Sequence, residues 1–247
     1  MVDTHCHLFL EDYPDIDDVI NRMGNNIMVV SGFDDASNKE VLELCSRYPN
    51  VYGTLGIHPE NVDEPYDLDF IREHINDDKI VAVGEIGLDY HYTKDNINEQ
   101  ISLFSKQIEI ALEFNKPIVV HSRDAINDTY DIIKKYNIGS KCLIHCFSSS
   151  LEMGREFVKL GCKLGIGGVL TFKNSSKLKE VVSGIDLSNL VLETDSPYMT
   201  PEPFRGKRNE PYNVFYVAQK ISDIKCIDID DVLKITSKNA FDLFDFR

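Results

Sequence analysis

Short apolar segments alternate with longer segments of mixed polarity along almost the whole chain. Eight of the short segments are rich in Val, Ile and Leu and have the length and composition of buried strands. The predicted strands span residues 1–8, 26–32, 51–57, 80–86, 117–121, 141–147, 162–168 and 190–194.

The longer segments repeat apolar residues at spacings of three and four, which is typical of amphipathic helices. The longest of them places Ile101, Phe104, Ile108 and Ala111 in this way. The predicted helices span residues 16–23, 38–48, 68–76, 98–115, 125–136, 150–160, 176–182, 214–221 and 229–244.

Eight strands that alternate with helices in 247 residues predict an α/β fold, a single (β/α)₈ TIM barrel. No linker or shift in composition divides the chain, so one domain over residues 1–247 is expected. The alternative is a six-stranded open sheet with two extra pieces. Such a sheet normally offers a Gly-rich first turn for a nucleotide, whereas here the first strand ends in His-Cys-His.

The composition, with 43% hydrophobic and 27% charged residues, is that of an ordinary globular protein. No run of about eighteen apolar residues is present and the N-terminus lacks a signal-peptide pattern, so we expect a cytoplasmic protein without membrane contact. The six cysteines include no C-x-x-C pair, which favours buried reduced thiols over disulfides or a zinc knuckle.

Polar, titratable residues gather where the predicted strands end. In a barrel the chemistry lies at the carboxyl ends of the strands, and side chains two apart on a strand point the same way. Five of the seven histidines of the chain fall on this rim. The rim residues are His5 and His7 at strand 1, His58 after strand 3, Glu85 at strand 4, His121 at strand 5, His145 at strand 6 and Asp195 after strand 8.

Four imidazoles and two carboxylates without a thiolate suit Zn²⁺, Mn²⁺ or Mg²⁺. Six ligands exceed the needs of one catalytic ion, so two divalent ions that share a carboxylate are expected, with a hydroxide between them as the nucleophile. In this hypothesis one ion takes His5, His7 and Asp195, the other takes His121 and His145, and Glu85 lies between them.

Each of these residues also has a simpler interpretation. A lone histidine at a strand end is more often a hydrogen-bonded core residue than a ligand, and only the constellation favours metal. His74 and His91 are interpreted as solvated, although His91 follows strand 4 closely enough to leave a place near the substrate open.

A cationic segment, FRGKRNEP at 204–211, follows Asp195. Guanidinium groups bind phosphate through two parallel donors, so we expect Arg205 to face the substrate, with Lys207 and Arg208 undecided. The alternative is an ion-paired surface loop balanced by Glu202 and Glu210. The net charge of −15 argues against long-range attraction to nucleic acid but leaves room for such a local site.

Two further groups of rim residues have candidate roles. Arg123 and Asp124 follow His121 and are candidates to support it, since ligating imidazoles commonly donate their second N–H to a carboxylate or carbonyl. Four aromatic residues could stack on unpaired bases, although most aromatics in a barrel are packing residues. They are Tyr90, Tyr92, Phe147 and Phe172.

The chain resembles the TatD family of metal-dependent deoxyribonucleases, within the amidohydrolase-like barrels. The resemblance runs from Asp3 to the C-terminal segment that ends at Phe244. It departs from the family pattern at Ser149 and Ser196, where the family usually has Gly and Ala. The matching stretches are DTHCH, GIHP, VGEIGLDY, PIVVHSRDA, HCFS, LTFKN and LETDSPYMTPEPFRGKRNEP.

The resemblance implies the metal ligands named above and places His58 near the scissile phosphate. Apart from the resemblance, we expect catalytic roles for Asp195, Glu85 and His58: Asp195 orients the attacking water and accepts its proton, and His58, if cationic, stabilises the developing charge or protonates the leaving oxygen. His58 and Arg205 are the expected substrate contacts. The expected activity is metal-dependent hydrolysis of DNA phosphodiester bonds from the 3′ end of a single strand, with no obligate protein partner evident.

Two other classes of function remain open. A metal-dependent amide or ester hydrolase, such as an aminoacyl-tRNA deacylase, would use the same centre on a carbonyl carbon. A noncatalytic barrel should have lost a ligand, and none of the six is missing.

Overall fold

The eight strands form one parallel sheet in chain order, from β1 to β8. The computed structural model describes residues 1–246, and Arg247, the last residue of the predicted domain, lies outside the described residues. The predicted TIM barrel is confirmed. The strands are β1 (Val2–Cys6), β2 (Ile27–Ser31), β3 (Val51–Leu55), β4 (Ile80–Asp89), β5 (Ile118–Arg123), β6 (Cys142–Ile144), β7 (Lys163–Ile166) and β8 (Leu190–Leu192).

Nine α-helices connect or follow the strands within residues 1–246. Those that follow strands pack outside the sheet, because each buries one apolar face. They are α1 (Ile16–Met23), α2 (Asp35–Arg47), α3 (Leu68–His74), α4 (Ile97–Glu113), α5 (Ile126–Tyr136), α6 (Leu151–Leu160), α7 (Ser176–Gly184), α8 (Val214–Lys225) and α9 (Ile229–Leu243).

Helix α2 begins three residues before its predicted start because of its N-terminal cap. The Asp34 carboxylate accepts a hydrogen bond from the Ser37 backbone N–H at 2.7 Å, and the Ser37 hydroxyl accepts one from the Asp34 N–H at 2.9 Å. Asn38, the predicted start, is buried and bonds the Gly56 backbone. The first turn of α2 therefore positions, through Asn38, the loop that leads from β3 to His58.

Strand β4 continues three residues beyond its predicted end because its last residues pair with β5. Gly87 pairs with His121 in that ladder. Gly87 has φ 142°, and a Cβ there would lie 2.0 Å from the His121 carbonyl oxygen. Only glycine permits this approach, which fixes His121 against the strand that carries Glu85.

The interior of the barrel is closed at its N-terminal end by the last helix. One buried apolar cluster takes residues from β1 to β6 and β8, and α9 with the residue after it adds Ala240, Leu243 and Phe244. The apolar plug leaves the polar residues of the strands for the opposite end.

The seam between β8 and β1 is joined through a buried carboxylate. Asp3 accepts hydrogen bonds from the Thr194 N–H at 2.9 Å and the Thr194 hydroxyl at 2.6 Å. The Asp195 N–H also donates to the His5 carbonyl at 3.0 Å. Complete burial raises the pKa of Asp3 well above its usual value, although the hydrogen bonds that Asp3 accepts from Thr194 oppose the shift. The first and last strands therefore meet at residues that border the rim.

All six cysteines are free thiols, as the sequence predicts, and Cys6, Cys45, Cys142 and Cys162 are buried. None of the helices within residues 1–246 has the length and apolar character needed to cross a membrane.

We predict that Asp3→Ala destabilises the barrel by about 3 kcal/mol, because two buried donors of Thr194 lose their acceptor. Urea unfolding of the metal-free protein measures the change. Asp78→Ala, at an exposed loop position, is the matched control and should lie within about 0.5 kcal/mol of the parent protein. Equal losses in the two variants would contradict a role for Asp3 in the seam.

Candidate metal centre

The six predicted ligands converge at the C-terminal end of the barrel. Three of them lie on strands and three lie just after a strand, so the backbone of the sheet fixes all six. His5 is on β1, Glu85 on β4 and His121 on β5, while His7, His145 and Asp195 follow β1, β6 and β8.

Glu85 occupies the middle of the centre, and its two oxygens face different histidines. Its Oε2 lies 3.3 Å from His5 Nε2 and 3.4 Å from His7 Nε2. Its Oε1 lies 3.0 Å from His121 Nδ1 and 2.8 Å from His145 Nε2. The carboxylate is therefore placed to be shared between two pairs of imidazoles.

Asp195 completes the side of the centre formed by β1. Its Oδ1 lies 3.7 Å from both His5 Nε2 and His7 Nε2. The residue has φ 54°, in the left-handed region that Asp tolerates better than most residues. The chain thus turns sharply after β8 at the residue that faces the two histidines.

Backbone contacts determine which nitrogen of His7 faces the centre with a lone pair. His7 Nδ1 lies 3.0 Å from the Ser31 carbonyl oxygen, which can only accept, so the neutral ring carries its proton on Nδ1. Its Nε2 then presents a lone pair 3.4 Å from a Glu85 oxygen. Two electron-rich atoms at this distance repel unless a proton or a cation lies between them.

The same argument holds for His121 on the other side of Glu85. His121 Nε2 lies 2.9 Å from Asp89 Oδ2, so the proton is on Nε2 and the lone pair is on Nδ1. That Nδ1 lies 3.0 Å from Glu85 Oε1 and 3.3 Å from His145 Nε2. The donor set therefore fits divalent cations on chemical grounds.

Three overlapping groups of these side chains have their ligand atoms within 4.8 Å of one another, which is close enough to hold a metal ion. The groups are His5–His145–Asp195, His5–His7–Glu85 and His58–Glu85–His121. They share members and form one continuous centre, in which the rings of His5 and His145 stack with centroids 4.0 Å apart.

The histidines around Glu85 oppose the cost of burying its carboxylate. Burial by itself raises the pKa of Glu85, but His145, His5 and His58 outweigh it and hold the pKa well below its usual value. For Asp195, burial dominates and raises the pKa. Glu85 is thus the fixed negative charge of the centre, and Asp195 is its more basic carboxylate.

Comparison with known proteins agrees with this geometry. The model of the family described as TatD related DNase matches residues 2–245. The chain belongs to the TatD family. It is 41% identical to YabD of Bacillus subtilis, an uncharacterized metal-dependent hydrolase, over 99% of this chain and 98% of that protein. It is 33% identical to YcfH of Escherichia coli K12, also an uncharacterized metal-dependent hydrolase, over 99% of this chain and 95% of that protein.

Solved structures of TatD proteins share the barrel. The crystal structure of YjjV, a TatD homolog from Escherichia coli K12, has a TM-score of 0.90 at 29% identity and covers 99% of this chain and 98% of that one. A TatD family hydrolase from Entamoeba histolytica has the same fold, with a TM-score of 0.86 at 23% identity over 100% of this chain and 98% of that one.

His58 reaches the TatD centre from the loop after β3, with Nε2 3.5 Å from Glu85 Oε1. Its Nδ1 accepts a hydrogen bond from the Glu60 N–H at 3.2 Å, so a neutral ring carries its proton on Nε2, which faces the centre. Burial lowers the pKa of His58. His58 is therefore favoured as a neutral hydrogen-bond donor towards the centre rather than as a cation.

Asp89, rather than Asp124, supports His121. Asp124 instead lies 3.0 Å from His91 Nδ1, on the exposed part of the rim, and Arg123 stacks on Tyr92. The prediction for Arg123 and Asp124 was wrong. The alternation of β4 contains the signal, because residues 85, 87 and 89 fall on one face of a strand that continues as far as Asp89.

Glu193 is a second buried carboxyl group that the sequence interpretation missed. Its Oε1 accepts a hydrogen bond from the Cys146 N–H and lies 3.8 Å from His145 Nδ1. Burial raises the pKa of Glu193 to about 7. Glu193 lies two residues before Asp195, and this spacing is the sequence signal that could have identified it.

The cationic segment after β8 divides into two parts. Arg208 donates to the Asp15 carboxylate at 2.7 Å and stacks over Tyr13. Arg208 is thus part of an ion-paired surface loop, which was the alternative to a phosphate contact. Arg205 is exposed and lies over the Phe172 ring, 4.2 Å from its centroid. None of the ion pairs found within residues 1–246 involves Arg205 or Lys207, which leaves both charges accessible on the rim.

Two of the four predicted stacking aromatics are packing residues. Phe147 is 2% exposed and Tyr90 is 8% exposed, so neither can stack on a base. Tyr92 is 70% exposed with Arg123 over one face of its ring, and Phe172 is half-buried with Arg205 over one face of its ring.

Tyr198 is an exposed aromatic residue that the sequence interpretation did not select. It is 59% exposed, and its ring centroid lies 6.4 Å from that of His7. The pKa of Tyr198 is raised, first by partial burial and then by negative charge around it. The carboxylates that contribute are Asp12, Asp195, Glu60 and Glu11.

We predict that Asp89→Asn lowers the affinity for Zn²⁺ or Mn²⁺ about 10- to 100-fold, because His121 loses the charged partner that fixes its ring. Competition titration with a chelating dye measures the affinity. Asp124→Asn, the matched change on the exposed rim, should leave it unchanged. Equal affinities of Asp89→Asn and the parent protein would show that Asp89 does not support the ligand.

Proposed function

We propose that this TatD protein is a metal-dependent deoxyribonuclease that hydrolyses phosphodiester bonds at the 3′ ends of single-stranded DNA. The observation that carries the proposal is the position of Glu85, whose two oxygens face separate pairs of histidines. A centre that can hold two divalent cations side by side suits an anionic phosphodiester, which must gain further negative charge during attack.

The ligands divide around Glu85. His5, His7 and Asp195 would hold one ion, His121 and His145 would hold the other, and Glu85 would contact both. When bound, the ions would neutralise charge on the phosphate and lower the pKa of the attacking water.

Asp195 is the residue of the centre best suited to take the proton of the attacking water. Its burial raises its pKa, and it faces the β1 histidines through one oxygen, Oδ1, at 3.7 Å. Oδ2 takes part in neither contact and can orient the water as it accepts the proton. The water oxygen then bonds to phosphorus, and the bond from phosphorus to one ester oxygen breaks.

His58 presents an N–H to the same space. The Glu60 backbone holds its Nδ1 as an acceptor, which leaves Nε2–H as the donor. This N–H can donate a hydrogen bond to a nonbridging phosphate oxygen or to the leaving oxygen, which takes its proton from solvent. One fixed tautomer thus serves both substrate binding and stabilisation of the leaving oxygen.

Arg205 supplies positive charge for the rest of the strand. Its guanidinium is held over Phe172 and remains exposed, so its donors can reach phosphate oxygens. With the family resemblance, this exposed cation favours DNA as the substrate over a neutral ester or amide.

We predict that Asp195→Asn lowers kcat on a 5′-labelled single-stranded oligonucleotide by about 10²- to 10⁴-fold, because the proton acceptor is lost. Digestion by protein reloaded with Mg²⁺, Mn²⁺ or Zn²⁺ measures the rate, and metal content measured in parallel separates loss of base from loss of ligand. Asp124→Asn should digest at the parent rate. Absence of cleavage by folded, metal-loaded parent protein would contradict the proposed function and favour carbonyl hydrolysis.

We predict that Arg205→Ala raises KM for the oligonucleotide about tenfold with a smaller change in kcat, because a charge-assisted contact to phosphate is removed. The slope of log KM against log salt should also fall by about one. Arg155→Ala, on the outer face of α6, is the matched control. An unchanged kcat/KM in Arg205→Ala would remove Arg205 from the substrate site.

A further inference from the structure

The rim around the metal centre is divided by charge. The loops after β1 (7–15) and β3 (56–67) contain no lysine or arginine. The loop after β7 (167–175) contains no carboxylate, and it and the loop after β8 carry Lys173, Arg205 and Lys207. The first two loops carry Glu11, Asp12, Asp15, Glu60, Asp63, Glu64 and Asp67, and among these Asp15 pairs with Arg208 of the loop after β8.

The cationic loops are held together as one surface. The Glu202 N–H donates to the Thr171 hydroxyl at 2.9 Å, which ties the loop after β8 to the loop after β7. Arg205 then crosses from one loop to the other by stacking on Phe172. Phosphates that enter the centre from this side meet positive charge.

The opposite side presents negative charge to the space beside the centre. A cavity of about 340 Å³ opens between the loops after β3 and β4. Among the described residues, its walls include Glu60, Asp63 and Asp89 and no lysine or arginine. A phosphate placed there would meet these like charges, of which Asp89 is partly offset by Arg123, and repulsion between like charges is a means of rejecting a substrate.

Tyr198 lies where the acidic side meets the centre. It projects from the loop after β8 towards β1, with its ring beside His7 and with Glu11, Asp12 and Glu60 near it. An exposed tyrosine ring binds a base by stacking, and stacking requires no charge on the ligand. The acidic side can therefore accept a nucleoside but not its phosphate.

We propose that this division makes the centre specific for a strand end whose last nucleoside carries no phosphate. The strand lies over Lys173, Arg205 and Lys207, the scissile phosphate lies at the metal centre, and the terminal nucleoside stacks on Tyr198 between the acidic loops. The inference rests on the proposed function and explains why cleavage is confined to ends, since internal cleavage would put phosphates on both sides.

The first test compares two single-stranded oligonucleotides of one sequence that end in a 3′-hydroxyl or a 3′-phosphate. Metal-loaded protein should shorten the 3′-hydroxyl strand at least tenfold faster, because the terminal phosphate enters the acidic side. Binding to Asp195→Asn, measured by fluorescence anisotropy, should rank the two strands in the same order.

Charge variants test the cause of the difference. The triple variant Glu11→Gln, Asp12→Asn, Glu60→Gln should reduce the ratio of the two rates at least threefold. The control changes net charge equally at the other end of the barrel, with Asp77→Asn, Asp78→Asn and Asp242→Asn, and should keep the parent ratio.

A terminal abasic residue tests the stacking. Tyr198→Ala should weaken binding of the normal 3′-hydroxyl strand about tenfold and should not weaken binding of a strand whose 3′-terminal residue is abasic. Tyr198→Phe keeps the ring and should bind both strands as the parent does. Tyr212→Ala, which removes another exposed tyrosine of the loop after β8, is the matched control.

The failures of the two proposals are distinguishable. Equal rates on the two strands, or a ratio that the acidic-loop variant leaves unchanged, would overturn the division by charge while the nuclease stands. Shortening of neither strand would overturn both, and release of the amino acid from a 3′-aminoacylated RNA in the same preparation would assign the centre to carbonyl hydrolysis.

Discussion

The crowding of electron-rich atoms around the buried Glu85 carboxylate determines how the rest of the rim is built. Five imidazoles face its oxygens at 2.8–3.5 Å, and little water reaches them. A buried charge needs compensation nearby. Ser31 and Asp89 hold the outer nitrogens of His7 and His121, so compensation at those rings has to come from the side that faces Glu85. The contacts that orient these two rings therefore also leave their inner nitrogens available to bind a metal ion.

Much of this architecture follows from periodicity. A strand places alternate side chains on one face, and a parallel barrel brings all strand ends to one rim, so the barrel and the meeting of His5, His7, Glu85 and Asp195 could be predicted from spacing and topology. The continuation of β4 to Asp89 was not evident from the apolar pattern alone. It depends on the close approach of Gly87 to β5 in the ladder.

The errors lie beyond the strand ends, where spacing no longer fixes direction. Asp124 follows His121 closely in the chain but has φ 55°, and its carboxylate contacts His91 instead. Tyr90 and Tyr92 are two residues apart, yet the first is buried and the second is exposed, because the chain leaves the sheet between them. Tyr198 carried no periodic signal at all, since its place beside His7 depends on how the long loop after β8 folds.

The seam through Asp3 and Thr194 joins the beginning of the chain to a segment 191 residues later. During synthesis β1 emerges first, but the partner that closes the barrel and the Asp195 carboxylate emerge only after seven further strands. His5 and His7 therefore lack Asp195, the last ligand of the centre, until the strands from β2 to β8 have been made. A prematurely terminated chain carries both histidines and lacks the fixed geometry around them, so assembly of the centre marks a chain that has been synthesised and folded as far as its last strand.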